Sequence, residues 1–168
     1  MRILLNNQFK SKQKAAEQAF VRQQDQSDCG PACLSAISRY YNGRENSIEH
    51  LRTLSGTTRQ GSTLLGLYQA AQTLGLQPSA FEGSIESLRE LNSPCILHVV
   101  KQNRLLHFVV CYGLLDEKFV IGDPAYGVSV ISDSELDSMW QSKALLTFNP
   151  KEIVRVDESK DQTKRALF

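Results

Sequence analysis

The stretch QQDQSDCGPACLSAISRYY, residues 23–41, decides how this chain begins to fold. Its first six residues are polar, and the apolar residues that follow recur at close to helical spacing until Asn42-Gly43 ends the pattern. Gly30 permits a close backbone approach, and Pro31 suits the first turn of a helix. The pattern therefore predicts a helix with Cys29 at its N-terminal end.

The rest of the pattern changes from helical to strand-like at about residue 92. Further helices are predicted from Ser47 to Ser55-Gly56, from a cap at Ser62 or Thr63 to residue 74, and over 84–91. Strands are then predicted at 94–100, 105–113, 118–123 and 128–131, followed by a helix around 134–140 and a last strand at 144–149. Helices before an antiparallel sheet define the α+β class, with the helices packed on one face of the sheet.

Both ends of the chain differ from this middle part. Residues 1–20 have a thin apolar face and predict an N-terminal arm or docking helix, whereas residues 151–168 form a charged tail or linker. The single domain is therefore expected at 21–150, a length that can bury a core without disulfides or metals.

The 19 basic residues nearly balance the 18 acidic ones, which argues against a nucleic-acid partner.

No secretory signal or membrane-spanning run is recognisable, so a cytoplasmic location is expected. Free thiols are then expected for the four cysteines, and Cys95 and Cys111 lie in apolar runs typical of buried residues. Cys29 and Cys33 form a C-x3-C pair, which is not the usual zinc spacing, and no second pair follows. We expect neither a metal nor another cofactor.

The position of Cys29 suits a nucleophile. Unpaired amides and the positive end of the helix dipole at a helix start favour thiolate over thiol. A structural cysteine at a turn is the alternative, and this motif by itself leaves the two interpretations equally open.

Three histidines could serve as the base. His50 belongs to a short, solvent-facing helix, whereas His98 and His107 lie on neighbouring strands. A lone strand histidine is usually a core residue with both nitrogens satisfied. However, a hairpin would bring Asp123 of Gly122-Asp123-Pro124 beside His107, which makes a Cys/His/Asp triad geometrically plausible.

Amide hydrolysis also requires a donor for the developing oxyanion. The side-chain N–H of Gln23, six residues before Cys29, can supply it together with the backbone amide of Cys29. The alternative for the polar run 23–28 is a solvated loop.

Three ordered motifs resemble the bacteriocin-processing, double-glycine leader peptidases. They are Gln23-x-Asp25-x-x-Asp28-Cys29-Gly30-x-Ala32, Leu106-His107-Phe108-Val109-Val110 and Gly122-Asp123-Pro124. These papain-like cysteine peptidase domains stand at the N-terminus of bacterial peptide-exporting ABC transporters. The resemblance implies Cys29 as nucleophile, His107 as base, Asp123 as orienting carboxylate and Gln23 as oxyanion donor. It assigns no role to Asp25 or Asp28.

The resemblance also implies a substrate and partners. The substrate is a secreted peptide precursor, cut after a Gly-Gly or Gly-Ala pair, and the partner is the membrane domain of an ABC transporter at the inner face of the cell membrane. A narrow slot would exclude side chains at both glycines. Leaders of this class bind as an amphipathic helix in an apolar groove, for which Leu64, Leu67, Tyr68 and Ala71 are candidates, although such a stripe is more often core.

Two other functions are compatible with parts of this pattern. A non-catalytic docking domain of an exporter would use the same groove without cutting. A cysteine acyltransferase or transglutaminase-like enzyme would share the triad and differ only in the acceptor.

Overall fold

The computed structural model describes residues 2–102 and 104–149, with side chains from residue 11 onward. Its helices are α1 (Arg2–Ala19), α2 (Cys29–Asn42), α3 (Ile48–Ser55), α4 (Leu64–Thr73), α5 (Ile85–Leu91) and α6 (Asp133–Met139), and a 3-10 turn at Gln26–Asp28 precedes α2. The strands are β1 (Pro78–Glu82), β2 (Cys95–Val100), β3 (Leu106–Leu115), β4 (Lys118–Asp123), β5 (Gly127–Ile131) and β6 (Ala144–Phe148). They form one antiparallel sheet in the order β1-β6-β2-β3-β4-β5.

The helices have the ends that their sequences predict. Gly43 and Gly56, both with positive φ, end α2 and α3, while Ser47 and Thr63 cap α3 and α4 with their hydroxyl groups. The predicted α+β architecture is confirmed, with the N-terminal helices before the sheet. Strand β1 was not predicted, because it begins with a proline at the sheet edge and four of its five residues are exposed.

The sheet buries both of its faces. One face packs against α1, α2 and α4 and includes Ile96, Val110, Val120 and Leu146. The other includes Leu97, Val109, Ile121 and Leu145, and it packs against α5, α6 and the completely buried Trp140 that follows α6. Alternate residues of a strand point to opposite faces, so the near-continuous apolar strands match a sheet that is covered twice. The expectation of helices on one face alone is therefore wrong.

Helix α1, in the segment predicted to be an arm or docking helix, packs against the rest of the fold. Ala16 and Ala19 are buried in the first core, because their small side chains let α1 lie close to α2 and the sheet. In the described part of the chain, no helix combines the length and the apolar character needed to cross a membrane. The predicted tail at 151–168 lies outside the described residues.

Candidate active site

Cys29 is the first residue of α2, as predicted, and its side chain is buried at the helix start. The next residue packs unusually tightly: a Cβ on Gly30 would lie 2.4 Å from Oγ of Ser62. Contacts this short do not occur between a Cβ and another heavy atom. The absence of a side chain at Gly30 therefore allows the segment before α4 to approach the helix that carries the thiol.

A chain of hydroxyl groups holds Ser62 in this place. Oγ of Ser62 lies 2.6 Å from Oγ1 of Thr57, which lies 2.7 Å from Oγ of Ser55. Ser55 in turn donates to the carbonyl oxygen of Leu51 within α3, at 2.6 Å. The start of α2 is thus packed against a hydrogen-bonded connection between α3 and α4.

Asp28, which the sequence left without a role, fixes the loop before Cys29. Its completely buried carboxylate accepts two 2.6 Å hydrogen bonds from the guanidinium of Arg52 and one of 2.9 Å from the backbone N–H of Asp25. Asp25 in turn accepts a hydrogen bond from the backbone N–H of Ser27. The bonds with Arg52 lower the pKa of Asp28, so the carboxylate is charged when it clamps the turn.

His107 and Asp123 meet where two strands lie side by side. His107 is the second residue of β3 and Asp123 the last of β4, and in an antiparallel pair the start of one strand lies beside the end of the other. Nε2 of His107 lies 2.8 Å from Oδ1 of Asp123, so the predicted contact is present. Nε2 faces the carboxylate, and the Cys29 thiol also acts on the imidazole, since it contributes to the raised pKa of His107.

The charges of this pair depend on one another. Burial alone would lower the pKa of His107, but hydrogen bonds with Asp123 and Cys29 raise it to about 8. Burial alone would raise the pKa of Asp123, whereas its bonds with His107, Lys101 and the Ala125 N–H bring it below the usual value. An imidazolium beside a carboxylate is therefore the favoured state at neutral pH.

The other two histidines have no contact with Asp123 or Cys29 among the hydrogen bonds and ring contacts of the described residues. His50 is exposed on α3, as predicted. His98 is half-buried on β2, its ring centroid is 5.0 Å from that of Phe108, and burial lowers its pKa. His107 is the histidine that the structure brings to Cys29.

Gln23 lies beside the end of β4. Its backbone N–H donates to the carbonyl oxygen of Pro124 at 3.0 Å, which ties the loop before α2 to the residue after Asp123. Among the described residues, its buried Oε1 has no hydrogen-bond partner. Gln23 thus lies next to Asp123, and the oxygen of its side-chain amide accepts no hydrogen bond from the described part of the protein.

The remaining cysteines agree with the sequence analysis. Cys95 and Cys111 are buried, free and directly opposite each other on β2 and β3. Cys33 is completely buried one turn after Cys29, and burial raises the pKa of its thiol well above the ordinary value. No group of metal-ligating side chains occurs in the described ranges.

Two of the four proposed groove residues are corrected by the structure. Leu67 and Ala71 are completely buried in the first core, because they form the side of α4 that packs inward. They are not accessible to a peptide. Leu64 and Tyr68 are half-buried at the edge of that core and stay candidates.

The sequence analysis missed two residues that pair with the aspartates of this site. Arg52 reaches Asp28 from α3, and Lys101 pairs with Asp123 from the residue after β2. Arg52 has no motif around it. For Lys101 a signal exists, since pairing the predicted strands around the turn at 101–104 places it near His107.

A helix that begins at a cysteine, packed against an antiparallel sheet that carries a histidine, is the arrangement of papain-like cysteine peptidase domains. The family model described as the Peptidase C39 family matches residues 17–152. The chain belongs to the peptidase C39 family.

Solved structures agree with this assignment. The peptidase domain of Streptococcus ComA, a bifunctional ABC transporter of a quorum-sensing pathway, is 36% identical with a TM-score of 0.71, and the match covers 77% of this chain and 96% of that domain. A double-glycine-motif protease from an AMS/PCAT transporter, solved in complex with the leader peptide, is 30% identical with a TM-score of 0.67, over 77% of this chain and 89% of that one.

Full-length relatives are much longer than this chain. The pediocin PA-1 transport/processing ATP-binding protein PedD of Pediococcus acidilactici is 37% identical over 131 residues, which are 76% of this chain and 18% of PedD. The lactococcin-G-processing and transport ATP-binding protein LagD of Lactococcus lactis is 35% identical over 78% of this chain and 19% of LagD. The chain thus spans about a fifth of the length of these relatives.

Proposed function

We propose that this chain is a cysteine endopeptidase that removes the leader from secreted peptide precursors after a Gly-Gly or Gly-Ala pair. The observation that carries the proposal is the placement of Cys29, at a helix start, against the hydrogen-bonded pair of His107 and Asp123. The leader peptide bound to a 30% identical neighbour supports the choice of substrate. The cut is coupled to export by an ABC transporter, at the cytoplasmic face of the bacterial membrane.

In this mechanism Cys29 attacks the carbonyl carbon of the second leader glycine. His107 holds the proton that leaves the thiol and gives it to the departing amine, while Asp123 keeps the ring in the orientation that presents Nδ1 to sulfur. A pKa of about 8 keeps the imidazole protonated at neutral pH, as an ion pair with the thiolate requires. Water then releases the leader from the thioester as a free acid.

The tetrahedral intermediate carries an oxyanion, which Gln23 and the backbone N–H of Cys29 stabilise in this proposal. The position of Gln23 supports that role, since its backbone bond to Pro124 holds it beside the end of β4, next to Asp123. Asp28 and Arg52 contribute indirectly, because they fix the backbone between Gln23 and Cys29.

The test is incubation with synthetic Gly-Gly leader peptides, followed by mass spectrometry of the fragments. We expect one cut after the glycine pair, a free carboxylic acid as product, and no cut when either glycine is replaced by valine. A new amide in place of the acid would indicate an acyltransferase. Tight binding of the intact peptide without cleavage would identify a docking domain instead.

A further inference from the structure

The carboxylate of Asp123 has a second charged partner on the side away from His107. Its Oδ1 accepts from Nε2 of His107 at 2.8 Å and from the backbone N–H of Ala125 at 2.9 Å. Its Oδ2 forms an ion pair with Nζ of Lys101. Each oxygen thus has its own cation-forming partner, and the rotation of the carboxylate is defined by three contacts from three directions.

Lys101 is itself held in place by the local backbone. It follows β2, its N–H donates to the carbonyl oxygen of Leu105 at 3.0 Å, and its own carbonyl accepts from the N–H of Arg104 at 2.9 Å. Its Nζ lies 4.0 Å from the centroid of the Tyr126 ring, and the Tyr126 N–H donates to the Asp123 carbonyl at 3.0 Å. The turn and the ring together direct the ammonium group to Asp123.

We propose that Lys101 is a positioning residue, which fixes the rotation of the Asp123 carboxylate and shares its negative charge with the imidazolium of His107. This role rests on the proposed function. Without Lys101 the carboxylate keeps its bond to Nε2, but its second oxygen is no longer held, so the ring is oriented less precisely. Its whole charge then acts on His107, which stabilises the imidazolium and makes it a poorer proton donor to the leaving amine.

Other charged and titratable groups surround the His107–Asp123 pair and are the same residues in every Lys101 variant. Cys29 and Cys33 face it from α2, and Tyr126 follows the end of β4. Arg22 approaches from the loop before α2 and donates to the carbonyl oxygens of Ala125 and Tyr126 at 3.2 and 3.4 Å. The strand residue paired with His107 is the apolar Val99. A difference between the variants therefore comes from position 101, either directly or through Tyr126, whose ring contacts Lys101.

The test compares the wild type with Lys101→Met, Lys101→Gln and Lys101→Arg. The chain has three histidines, so the titration of each ring can be followed by proton NMR, with His107 assigned from its loss in His107→Asn. Arg104→Gln is the matched control, because it removes one positive charge from the same turn. Thermal unfolding of each variant checks that the fold is kept, and the Gln variant substitutes for Met where Met unfolds the chain.

We expect Lys101→Met and Lys101→Gln to raise the pKa of His107 by about half a unit or more, while Lys101→Arg and Arg104→Gln stay near the wild type. In leader cleavage, the alkaline limb of the kcat profile should move to higher pH in the same two variants, and kcat should fall severalfold with KM unchanged. An unchanged His107 pKa without Lys101, or an equal shift in Arg104→Gln, overturns the proposal. A wild type that cuts no leader but shows the shift overturns the proposed function and supports the role of Lys101.

Discussion

Asp28 and Asp123 are two buried aspartates in the same site, and they serve the two regions around it differently. At the helix start, Asp28 binds the permanent cation of Arg52 and the backbone of the preceding turn. At the strand ends, Asp123 binds an imidazole, whose charge can change near neutral pH, and a lysine. The carboxylate paired with arginine holds the backbone of a turn, whereas the one paired with histidine raises the pKa of the ring.

The largest effect should come from the thiol at the helix start. Cys29→Ala removes the proposed nucleophile, so we expect leader cleavage to disappear while the melting temperature stays close to that of the wild type. Cys33→Ala, one turn later in the same helix, is the matched control and should keep a clear fraction of the activity. Equal loss in both variants, measured by mass spectrometry of the products, would contradict the assignment.

At the strand ends, Asp123→Asn tests whether the carboxylate controls the histidine. The amide can favour the wrong imidazole tautomer and withdraws support from the imidazolium, so kcat should fall roughly a thousandfold and the pKa of His107 should decrease. Asp116→Asn, in the turn at the other end of the β3–β4 hairpin, should change neither quantity. If Asp123 only caps its turn, kcat of Asp123→Asn will match the wild type.

Returning to the helix start, Gln23→Ala should lower kcat by about a hundredfold with little change in KM, since an oxyanion donor acts mainly in the transition state. Gln24→Ala changes the exposed neighbour in the same loop and serves as the control. Steady-state kinetics on one Gly-Gly leader peptide measure both constants. An increase in KM alone would indicate that Gln23 binds the substrate and is not an oxyanion donor.

The smallest effect on chemistry, and the clearest on stability, is expected for Arg52→Met. The lowered pKa of Asp28 means that its ion pair stabilises the fold above the ordinary carboxyl pKa, and that this contribution is lost as the pH falls through the lowered value. Without Arg52, the melting temperature at pH 7 should drop and its decline in acid should become shallower.

Melting curves of Arg52→Met between pH 3 and pH 7 check this, with Arg44→Met in the loop before α3 as the control. A variant that melts like the wild type at every pH would show that the clamp at Asp28 does not depend on its arginine. A variant that is stable but inactive would indicate that Asp28 and Arg52 take part in the reaction and do not only fix the backbone.

The parts of the molecule that the sequence predicted are those set by local patterns. The start of α2 at Cys29 follows from Gly30, Pro31 and the apolar spacing, and the contact of His107 with Asp123 follows from one hairpin. Both features depend on residues that are close along the chain, so the sequence by itself is enough to predict them.

The parts that were missed depend on distant packing. Which side of α4 is buried depends on how it packs against α2 and α3, so Leu67 and Ala71 could not be separated from Leu64 and Tyr68 by spacing. Arg52 meets Asp28 across 24 residues of chain, and only the packing of α3 against the turn brings them together. Edge strand β1 shows no apolar alternation, because the side chains after its first residue are exposed.

The hydroxyl chain beside Gly30 has a fixed direction. Ser55 has one hydroxyl proton, which it gives to the carbonyl oxygen of Leu51, so it must accept from Thr57. Thr57 has then used its own proton and must accept from Ser62. All three protons therefore point toward α3, and the Ser62 oxygen beside Gly30 of α2 has only lone pairs left to offer. Any further group that bonds to this oxygen must bring its own hydrogen.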